Sequence, residues 1–179
     1  RKATIKSNVV KYKKPLFYCN AIGSQTEIVF DGASLVFDKD ANLCGALPMF
    51  ESAMQIFECN EDGTINAPIL EPAASVPSKE LNPAMLVPAL NIDQVYKALV
   101  LGVKDYFNKM GFKKAILGSS GGIDSAVTLA IACEALGKEN VYAILMPSPY
   151  STEHSVDDAV ELSKNLGNPY DILPIKEVY

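Results

Sequence analysis

Residues 118–126 read "GSSGGIDSA" and lie between the apolar run "KAIL" and the mostly apolar stretch "VTLAIACEALG". An apolar run, then glycines and serines, then a long apolar stretch is the pattern of a buried strand, a tight loop and a helix. Open α/β sheets bind ligands at loops of this kind, which leave the carboxyl end of a strand and enter a helix. The stretch therefore favours a phosphate-binding loop, and the alternative is a tight turn without a ligand.

The loop combines two glycines with three hydroxyl side chains. Gly121 and Gly122 allow the main chain to turn tightly and to approach a phosphate without a Cβ in the way. Ser119, Ser120 and Ser125 add hydroxyl donors, and the free N–H groups of the first helical turn point toward the same place. A plain turn accounts for one glycine and one serine or aspartate, but it does not need the whole cluster.

Asp124 is the only carboxylate in the loop. A helix dipole stabilises a nearby charge by about 0.3–1 kcal/mol, which is small beside the cost of desolvating a triphosphate, so we expect a metal ion as well. Mg²⁺ in nucleotide sites takes one or two carboxylates together with phosphate oxygens. Asp124 is therefore the candidate Mg²⁺ ligand, and in the plain-turn alternative it is only a favourable charge at a helix start.

Two common phosphate-binding motifs do not match this region. The GxxxxGK[ST] loop requires a lysine that residues 118–126 lack, and the GxGxxG dinucleotide fingerprint fails as well. The loop is thus neither of these two types.

The sequence around the loop predicts a parallel sheet. Apolar residues recur at three- and four-residue steps from Ile92 to Gly111, which predicts an amphipathic helix. After it, buried strands and helices alternate, and this order is typical of a parallel sheet with crossover helices. The predicted elements are a strand over 114–118, a helix over 124–136, a strand over 141–147, a helix over 152–166 and a strand over 170–175.

The first part of the chain has a different sequence pattern. Residues 16–59 contain short apolar or alternating runs separated by turn residues at Asp31-Gly32 and at 38–42, which predicts antiparallel strands. The runs are "LFYCNA", "TEIVF", "SLVFD", "CGAL" and "MQIFEC". Residues 60–91 carry five of the eleven prolines, and this composition predicts a segment that connects two domains.

Composition and charge exclude several classes of protein. Of the 179 residues, 49% are hydrophobic, so a folded core is expected. The 16 basic and 21 acidic residues give a net charge of −5 without a basic stripe, which argues against a nucleic-acid partner. No apolar run is long enough for a membrane span and no leader pattern is present, so we expect a cytoplasmic protein without a membrane partner.

The cysteines do not form a recognisable metal or disulfide pattern. The four cysteines lie far apart without a CxxC pair, and His154 is the only histidine, so a zinc cluster has little to build on. We expect all four to be small buried side chains in a reducing compartment. The chain begins with Arg1 rather than Met, and we expect it to be a piece of a longer protein.

The hexapeptide "SGGIDS", residues 120–125, resembles the SGGxDS pyrophosphate-binding loop of the ATP pyrophosphatase superfamily. Members of that superfamily adenylate an oxygen of their substrate, release pyrophosphate and let a nucleophile displace AMP. The resemblance implies a parallel-sheet nucleotide-binding domain of the adenine nucleotide α-hydrolase type. It leaves open which member is meant.

Two further stretches resemble parts of the glutamine-dependent NAD synthetases. The segment from Met146 to Gly167 is similar to the region after the second strand of NAD synthetases, and residues 17–43 are similar to the last strands of a nitrilase-type domain, an α-β-β-α sandwich. The order implies three parts. They are the C-terminal strands of a nitrilase-like glutaminase domain over 1–59, a proline-rich linker over 60–91 and the start of an ATP-binding synthetase domain over 92–179.

The resemblance implies a function and a set of site residues. The whole enzyme would adenylate deamido-NAD with ATP and Mg²⁺ and amidate it to NAD with ammonia from glutamine, and it would be a homo-oligomer that binds only small-molecule substrates. Asp124 would hold Mg²⁺, and the main chain near Leu145 and Met146 would border the adenine. The residues implied to carry the ATP phosphates are Gly118, Ser119, Ser120, Gly121, Gly122, Ile123, Asp124 and Ser125.

The resemblance also implies what this chain lacks. The Cys, Glu and Lys of nitrilase chemistry would lie before Arg1, and most contacts to deamido-NAD would lie beyond Tyr179, so no catalytic residue is expected here. Cys19 is expected to be structural. Gln25 and Glu27 line the glutaminase pocket, take part in an inter-subunit contact or belong to a plain turn.

Two other functions stay open at this point. One is a different ATP-dependent amidotransferase or thiolase with the same loop. The other is a nucleotide-binding module without catalysis, which would bind ATP and release no AMP.

Overall fold

The structure, a computed structural model, describes residues 1–66, 88–149 and 151–175. The chain divides into two compact units, Arg1–Val95 and Tyr96–Tyr179. The first contains antiparallel strands and the second a parallel sheet, so the predicted α/β class is confirmed. The predicted segments 1–59, 60–91 and 92–179 stay a prediction, and residues 67–87 of the proline-rich segment lie outside the described residues.

The first unit is built from one helix and five short strands. Strands β1, β4 and β5 form an antiparallel sheet in the order β1-β4-β5, and β2 and β3 form a separate antiparallel pair. These elements are α1 (Lys2–Tyr12), β1 (Leu16–Tyr18), β2 (Ile22–Gln25), β3 (Ile28–Asp31), β4 (Leu35–Phe37) and β5 (Leu43–Ala46).

Helix α1 covers one face of the three-stranded sheet. Its buried side chains, Ile5 and Val9, are four residues apart and pack in one cluster with Leu35, Phe37 and Ala41. Because only these two positions are buried, the helical period is weak in the sequence. We predicted no helix here, and the lysines that dominate this stretch hide the apolar pair.

The antiparallel prediction for residues 16–59 is confirmed in type but not in every element. The run 54–59 is not a strand: Cys59 makes only an isolated bridge with Ile65. Instead, the Phe57 ring lies edge-on to Phe17, with ring centroids 6.2 Å apart, and covers Gly45 so closely that a Cβ there would lie 2.6 Å from the Phe57 Cε1 atom. Residues 54–59 are therefore held against the sheet by packing of the Phe57 ring and not by strand pairing.

Residues 60–66 form a turn that belongs to the first unit. The Asn60 N–H donates to the Thr64 carbonyl at 2.9 Å, and the Lys39 N–H donates to the Gly63 carbonyl at 3.1 Å. These bonds attach the start of the predicted connecting segment to the turn that follows β4.

Helix α2, Pro88–Met110, begins earlier than the sequence predicted. We predicted a start at Ile92, because the prolines before it argued against a helix. Proline is well placed in the first turn of a helix, where its missing N–H would have no partner, and Pro88 occupies that position. The predicted stop is confirmed, since Gly111 follows the helix with a left-handed φ of +73°.

The second unit contains the predicted parallel sheet, in the order β6-β7-β8. Both neighbouring pairs are parallel, so this prediction is confirmed. The elements that follow α2 are β6 (Ala115–Gly118), α3 (Ile123–Leu136), β7 (Val141–Leu145), α4 (Glu153–Leu166) and β8 (Tyr170–Ile172).

Helices α3 and α4 cover the same face of this sheet. Alternate residues of β7, namely Val141, Ala143 and Leu145, are at most 1% exposed and form one cluster with Leu129 of α3 and Ala159 of α4. Burying an aliphatic side chain contributes about 1.5–3 kcal/mol. This cluster therefore fixes both helices against the sheet, with their amino ends at its carboxyl edge.

The expectation that all four cysteines are buried is wrong for this chain. Cys133 is buried on α3, Cys44 is half-buried, and Cys19 and Cys59 are exposed. Cys19 and Cys59 lie outside the regular strands, where no neighbouring element covers them. No helix within the described ranges is both long and apolar enough to cross a membrane.

Candidate functional site

The GSSGGIDSA stretch joins β6 to α3, as its sequence predicts. Strand β6 ends at Gly118, and the Ser119 N–H continues the pairing by donating to the Ile144 carbonyl of β7 at 2.9 Å. Helix α3 begins at Ile123, with Gly122 as its N-cap residue at φ −84° and ψ 158°. The loop therefore lies at the carboxyl edge of the parallel sheet.

Four main-chain N–H groups of the loop have no protein acceptor in the described part of the chain. They belong to Gly121, Ile123, Asp124 and Ser125, and the first amide with a helical partner is that of Ala126, which donates to the Gly122 carbonyl at 3.1 Å. Unpaired amides and the positive end of the helix dipole attract an anion. Sequence reasoning predicted these free donors from the helix start.

Two further loop amides, those of Ser120 and Gly122, are bonded to serine side chains. The Ser120 N–H donates to Ser125 Oγ at 3.2 Å, and the Gly122 N–H donates to Ser120 Oγ at 3.3 Å. Ser125 Oγ also lies 3.1 Å from Ser120 Oγ and donates to the Gly122 carbonyl at 2.9 Å. The loop thus folds onto itself through two hydroxyl groups.

Gly121 has a left-handed φ of +80° and touches the first turn of α4. A Cβ at this position would collide with the Ser155 main-chain oxygen and would lie 2.7 Å from the Ser155 carbonyl carbon and 2.8 Å from its Cα. Only glycine meets both conditions. The predicted role of this residue, a tight turn, is therefore joined by a second one, close contact with α4.

Ser155 and its cap Thr152 are parts of the site that sequence reasoning missed. Thr152 is the N-cap of α4: its Oγ1 accepts from the Ser155 N–H at 3.3 Å and lies 2.7 Å from Ser155 Oγ. The sequence carried a signal for the cap, because a threonine directly before a helical pattern is typical of this position. Nothing local signals the contact with Gly121.

The end of β7 lies beside the end of β6. The Leu145 side chain is 1% exposed in the core, and the Leu145 carbonyl accepts from the Leu173 N–H at 2.8 Å. Met146 is 51% exposed, and its Cε lies 3.4 Å from the place that a Cβ on Gly118 would occupy. The structure thus brings Met146 next to the loop, whereas Leu145 faces the core.

Ser119 and Asp124 differ in exposure. Ser119 is 4% exposed, and its Oγ has no hydrogen-bond partner among residues 1–66, 88–149 and 151–175, so the described part of the chain leaves this buried donor unused. Asp124 is exposed. Among the described residues, no three carboxylate, cysteine or histidine side chains are grouped as a metal centre, so a cation at Asp124 would need ligand oxygens from the substrate.

The titratable groups nearest to the sheet do not supply a nucleophile. Burial raises the pKa of the Cys133 thiol, which keeps it protonated at neutral pH, and it packs in the core under α3. A 2.7 Å hydrogen bond to Asp171, and next burial, raises the pKa of Tyr142. The arrangement can therefore bind an anion and stabilise negative charge, and neither Cys133 nor Tyr142 is ionised more readily than usual.

Gln25 and Glu27 lie outside this region. Gln25 ends β2, Glu27 follows it in the turn to β3, and both are exposed. Whether they line a glutaminase pocket stays a prediction.

Comparisons with known proteins agree with the geometry. Residues 95–179 match the model of the NAD synthase family. The chain is 40% identical to a glutamine-dependent NAD(+) synthetase of Synechocystis sp. over 98% of its own length and 29% of that protein, and 34% identical to one of Thermotoga maritima over 100% and 34%. It spans about a third of the length of these curated relatives.

A solved structure extends the similarity to both units. The chain superimposes on the glutamine-dependent NAD+ synthetase of Acinetobacter baumannii, solved in complex with adenosine diphosphate, with a TM-score of 0.84, 32% identity and coverage of 99% of this chain and 31% of that one. Residues 95–179 thus match the NAD synthase family, and the chain aligns with glutamine-dependent NAD(+) synthetases along nearly its whole length.

Proposed function

We propose that the protein containing this chain converts deamido-NAD to NAD in an ATP-dependent amidation with glutamine as the nitrogen donor. The glutamine-dependent NAD(+) synthetases it resembles support this activity. The observation that carries the proposal is the loop from Gly118 to Ser125, with four amides free at the carboxyl edge of a parallel sheet.

In this proposal the loop binds the phosphates of ATP. The free amides of Gly121, Ile123, Asp124 and Ser125 would donate to phosphate oxygens, as helix N-termini do in other anion sites. The bound adenosine diphosphate in the Acinetobacter baumannii relative supports a nucleotide as the ligand. The other proposed contacts are Gly118, Ser119, Ser120 and Gly122 along the loop and the main chain of Leu145 and Met146 beside the adenine.

Asp124 is the residue that would hold Mg²⁺. Its side chain is exposed at the first turn of α3, beside the amides proposed to bind phosphate. A single carboxylate together with phosphate oxygens is a common set of ligands for this ion. When bound, the ion would neutralise charge on the phosphates.

The chemistry would proceed in two steps. A carboxylate oxygen of the nicotinate group attacks the α-phosphorus of ATP, the bond to the β-phosphate oxygen breaks, and pyrophosphate leaves. Ammonia then attacks the activated carbonyl carbon, loses a proton, and AMP leaves. Because the loop only positions the phosphates and stabilises the charge of the departing pyrophosphate, it needs no nucleophile.

Three features of the whole protein are proposed along with this activity. Ammonia would come from glutamine hydrolysis in a nitrilase-like domain to which residues 1–59 contribute strands. The protein would assemble as a homo-oligomer and would be cytoplasmic. Size-exclusion chromatography with light scattering tests the oligomer, and cell fractionation tests the location.

A test of the activity uses the full-length protein with ATP, Mg²⁺ and deamido-NAD, supplied with either glutamine or ammonium. We expect one AMP and one pyrophosphate for each NAD formed, from both nitrogen sources. AMP release with a different carboxylate or a thiolation substrate, and none with deamido-NAD, would identify another member of the superfamily. Nucleotide binding without AMP release would identify a module without catalysis.

A further inference from the structure

Ser120 and Ser125 form a closed set of hydrogen bonds whose direction follows from counting protons. Each hydroxyl has one proton. The Ser125 hydroxyl donates to the Gly122 carbonyl, so in the 3.1 Å contact between the two hydroxyls Ser120 must be the donor and Ser125 the acceptor. Ser125 Oγ also accepts the Ser120 N–H, and Ser120 Oγ accepts the Gly122 N–H.

We propose that Ser125 is a positioning residue that fixes the conformation of the loop, with Ser120 as its partner; we call this pair the serine clasp. The clasp takes up the amides of Ser120 and Gly122 and leaves those of Gly121, Ile123, Asp124 and Ser125 free. Among the residues proposed to contact phosphate, the clasp therefore binds the Ser120 and Gly122 amides within the loop and leaves the four free amides to the ligand. The inference rests on the proposed function only for the identity of the ligand.

Ser125 contributes more hydrogen bonds to the clasp than Ser120 does. Ser125 Oγ takes part in three of the four bonds, whereas Ser120 Oγ takes part in two. Ser125→Ala removes the acceptor of the Ser120 N–H and the tie to the Gly122 carbonyl together. Ser120→Ala leaves both of those bonds in place, so it should disturb the loop less.

The clasp also affects which groups of the loop a ligand can bind. Both hydroxyl groups already donate within the protein, so a phosphate oxygen must compete with these internal acceptors. A ligand that accepts a hydrogen bond from the Ser125 hydroxyl must replace the Gly122 carbonyl as its acceptor. The loop is thus preorganised by the same hydroxyl groups that a ligand would later compete for.

The first test needs no ligand. Amide hydrogen exchange of the full-length, ligand-free protein is compared between wild type, Ser125→Ala, Ser125→Thr and Ser120→Ala. We expect Ser125→Ala to accelerate exchange at Ser120 about tenfold, as loss of roughly one net hydrogen bond predicts, Ser125→Thr to restore it, and Ser120→Ala to accelerate exchange at Gly122 alone. Thr128→Ala is the control, since the Thr128 hydroxyl donates to the Asp124 carbonyl at 2.7 Å, outside the clasp.

The second test measures affinity for inorganic pyrophosphate with Mg²⁺. We expect Ser125→Ala to weaken binding about tenfold, Ser125→Thr to bind like wild type, and the double variant Ser120→Ala/Ser125→Ala to lose no more than Ser125→Ala alone. Unchanged exchange at Ser120 in Ser125→Ala would overturn the clasp, and so would additive losses of pyrophosphate affinity in the double variant. If exchange is accelerated in Ser125→Ala but the wild-type protein binds no pyrophosphate, the clasp is supported and the proposed function is refuted.

Discussion

The main chain of Gly121 lies directly against the main chain of Ser155, so the loop after β6 and the first turn of α4 are in contact with no side chain between them. This contact sets the position of the loop relative to the first turn of α4. It also places the first turn of α4, capped by Thr152, beside the amides at the start of α3. Any residue with a Cβ at position 121 must push one of the two elements away.

Gly121→Ala is therefore expected to disrupt the site. The substitution combines a left-handed φ of +80° with a Cβ placed 2.7 Å from the Ser155 carbonyl carbon, and backbone strain of this kind costs about 1–3 kcal/mol. We expect a lower free energy of unfolding by that amount and loss of nucleotide binding. Chemical denaturation and nucleotide titration of the full-length protein measure both.

Gly122→Ala is the matched control. Its φ is −84°, and a Cβ there would lie 3.4 Å from Ser120 Oγ, an ordinary contact. It should lose less stability than Gly121→Ala. Equal losses in the two variants would show that the Ser155 contact does not set the conformation of the loop.

Ser119→Ala should make the protein more stable. Ser119 Oγ is buried and has no partner in the described part of the chain, and an unsatisfied buried polar group costs about 1–3 kcal/mol. We expect a rise of about 1 kcal/mol in the free energy of unfolding, together with two- to tenfold weaker nucleotide binding if the hydroxyl donates to the ligand as proposed.

Ser163→Ala separates the effect on stability from the effect on nucleotide binding. Ser163 lies near the end of α4, is 0% exposed, and its Oγ also lacks a partner. Its removal should raise stability in the same way and leave nucleotide affinity unchanged. A fall in stability for Ser119→Ala would mean that its hydroxyl has a partner in the empty protein.

Asp124→Asn should reduce the Mg²⁺ dependence of nucleotide binding much more than it reduces stability. The side chain is exposed, and an acidic residue in the first turn of a helix contributes only about 0.3–1 kcal/mol. Calorimetric titration with ATP across a range of Mg²⁺ concentrations measures the effect. Glu134→Gln, the same change of charge at an exposed position of α3, should behave like wild type, and a normal Mg²⁺ response in Asp124→Asn would remove this residue as the ligand.

The parallel sheet and its loop could be predicted because local signals agree there. The residues of β6 and β7 are apolar, glycine and serine interrupt the chain after β6, and Gly137 and Gly167 end the two helices. Pattern, turn residues and caps all indicate the same elements, and predictions made from such agreement are the most reliable.

The rest depends on tertiary contacts that no local pattern contains. Helix α1 exists because Ile5 and Val9 meet β4 across the chain, and residues 54–59 are held by the Phe57 ring over Gly45 rather than by strand pairing. The same holds at the site: the sequence indicates that Gly121 turns, and only the fold shows that it touches Ser155. Packing between distant segments, not propensity, decides these features.

Asp38 provides a prediction about pH. The carboxylate is 9% exposed, and burial by itself raises its pKa. Its hydrogen bonds outweigh that effect and hold the pKa below the usual value: it accepts the Asn42 side chain at 2.9 Å and the main-chain N–H groups of Asn42 and Asp40 at 2.8 and 2.9 Å. Together they close the turn after β4.

A lowered pKa means that the folded protein binds the proton of Asp38 less readily than the unfolded chain. The stabilisation is therefore present above the unfolded pKa of about 3.9 and is lost as the pH falls through the lower pKa of the folded state. Asp38→Ala should reduce the free energy of unfolding by about 1–3 kcal/mol at pH 7, because hydrogen bonds to a charged carboxylate are lost. The difference from wild type should shrink as the pH falls below 4.

Denaturant titrations at several pH values measure this difference, and Asp40→Ala provides the comparison within the same turn. Asp40 is exposed and contributes its main-chain N–H, not its side chain, to the bonds around Asp38. Its replacement should therefore leave the turn intact and give a small effect that does not depend on pH in the same way. If the two variants lose equal stability at pH 7, or if the loss in Asp38→Ala is unchanged in acid, the hydrogen-bonded carboxylate is not what holds the turn.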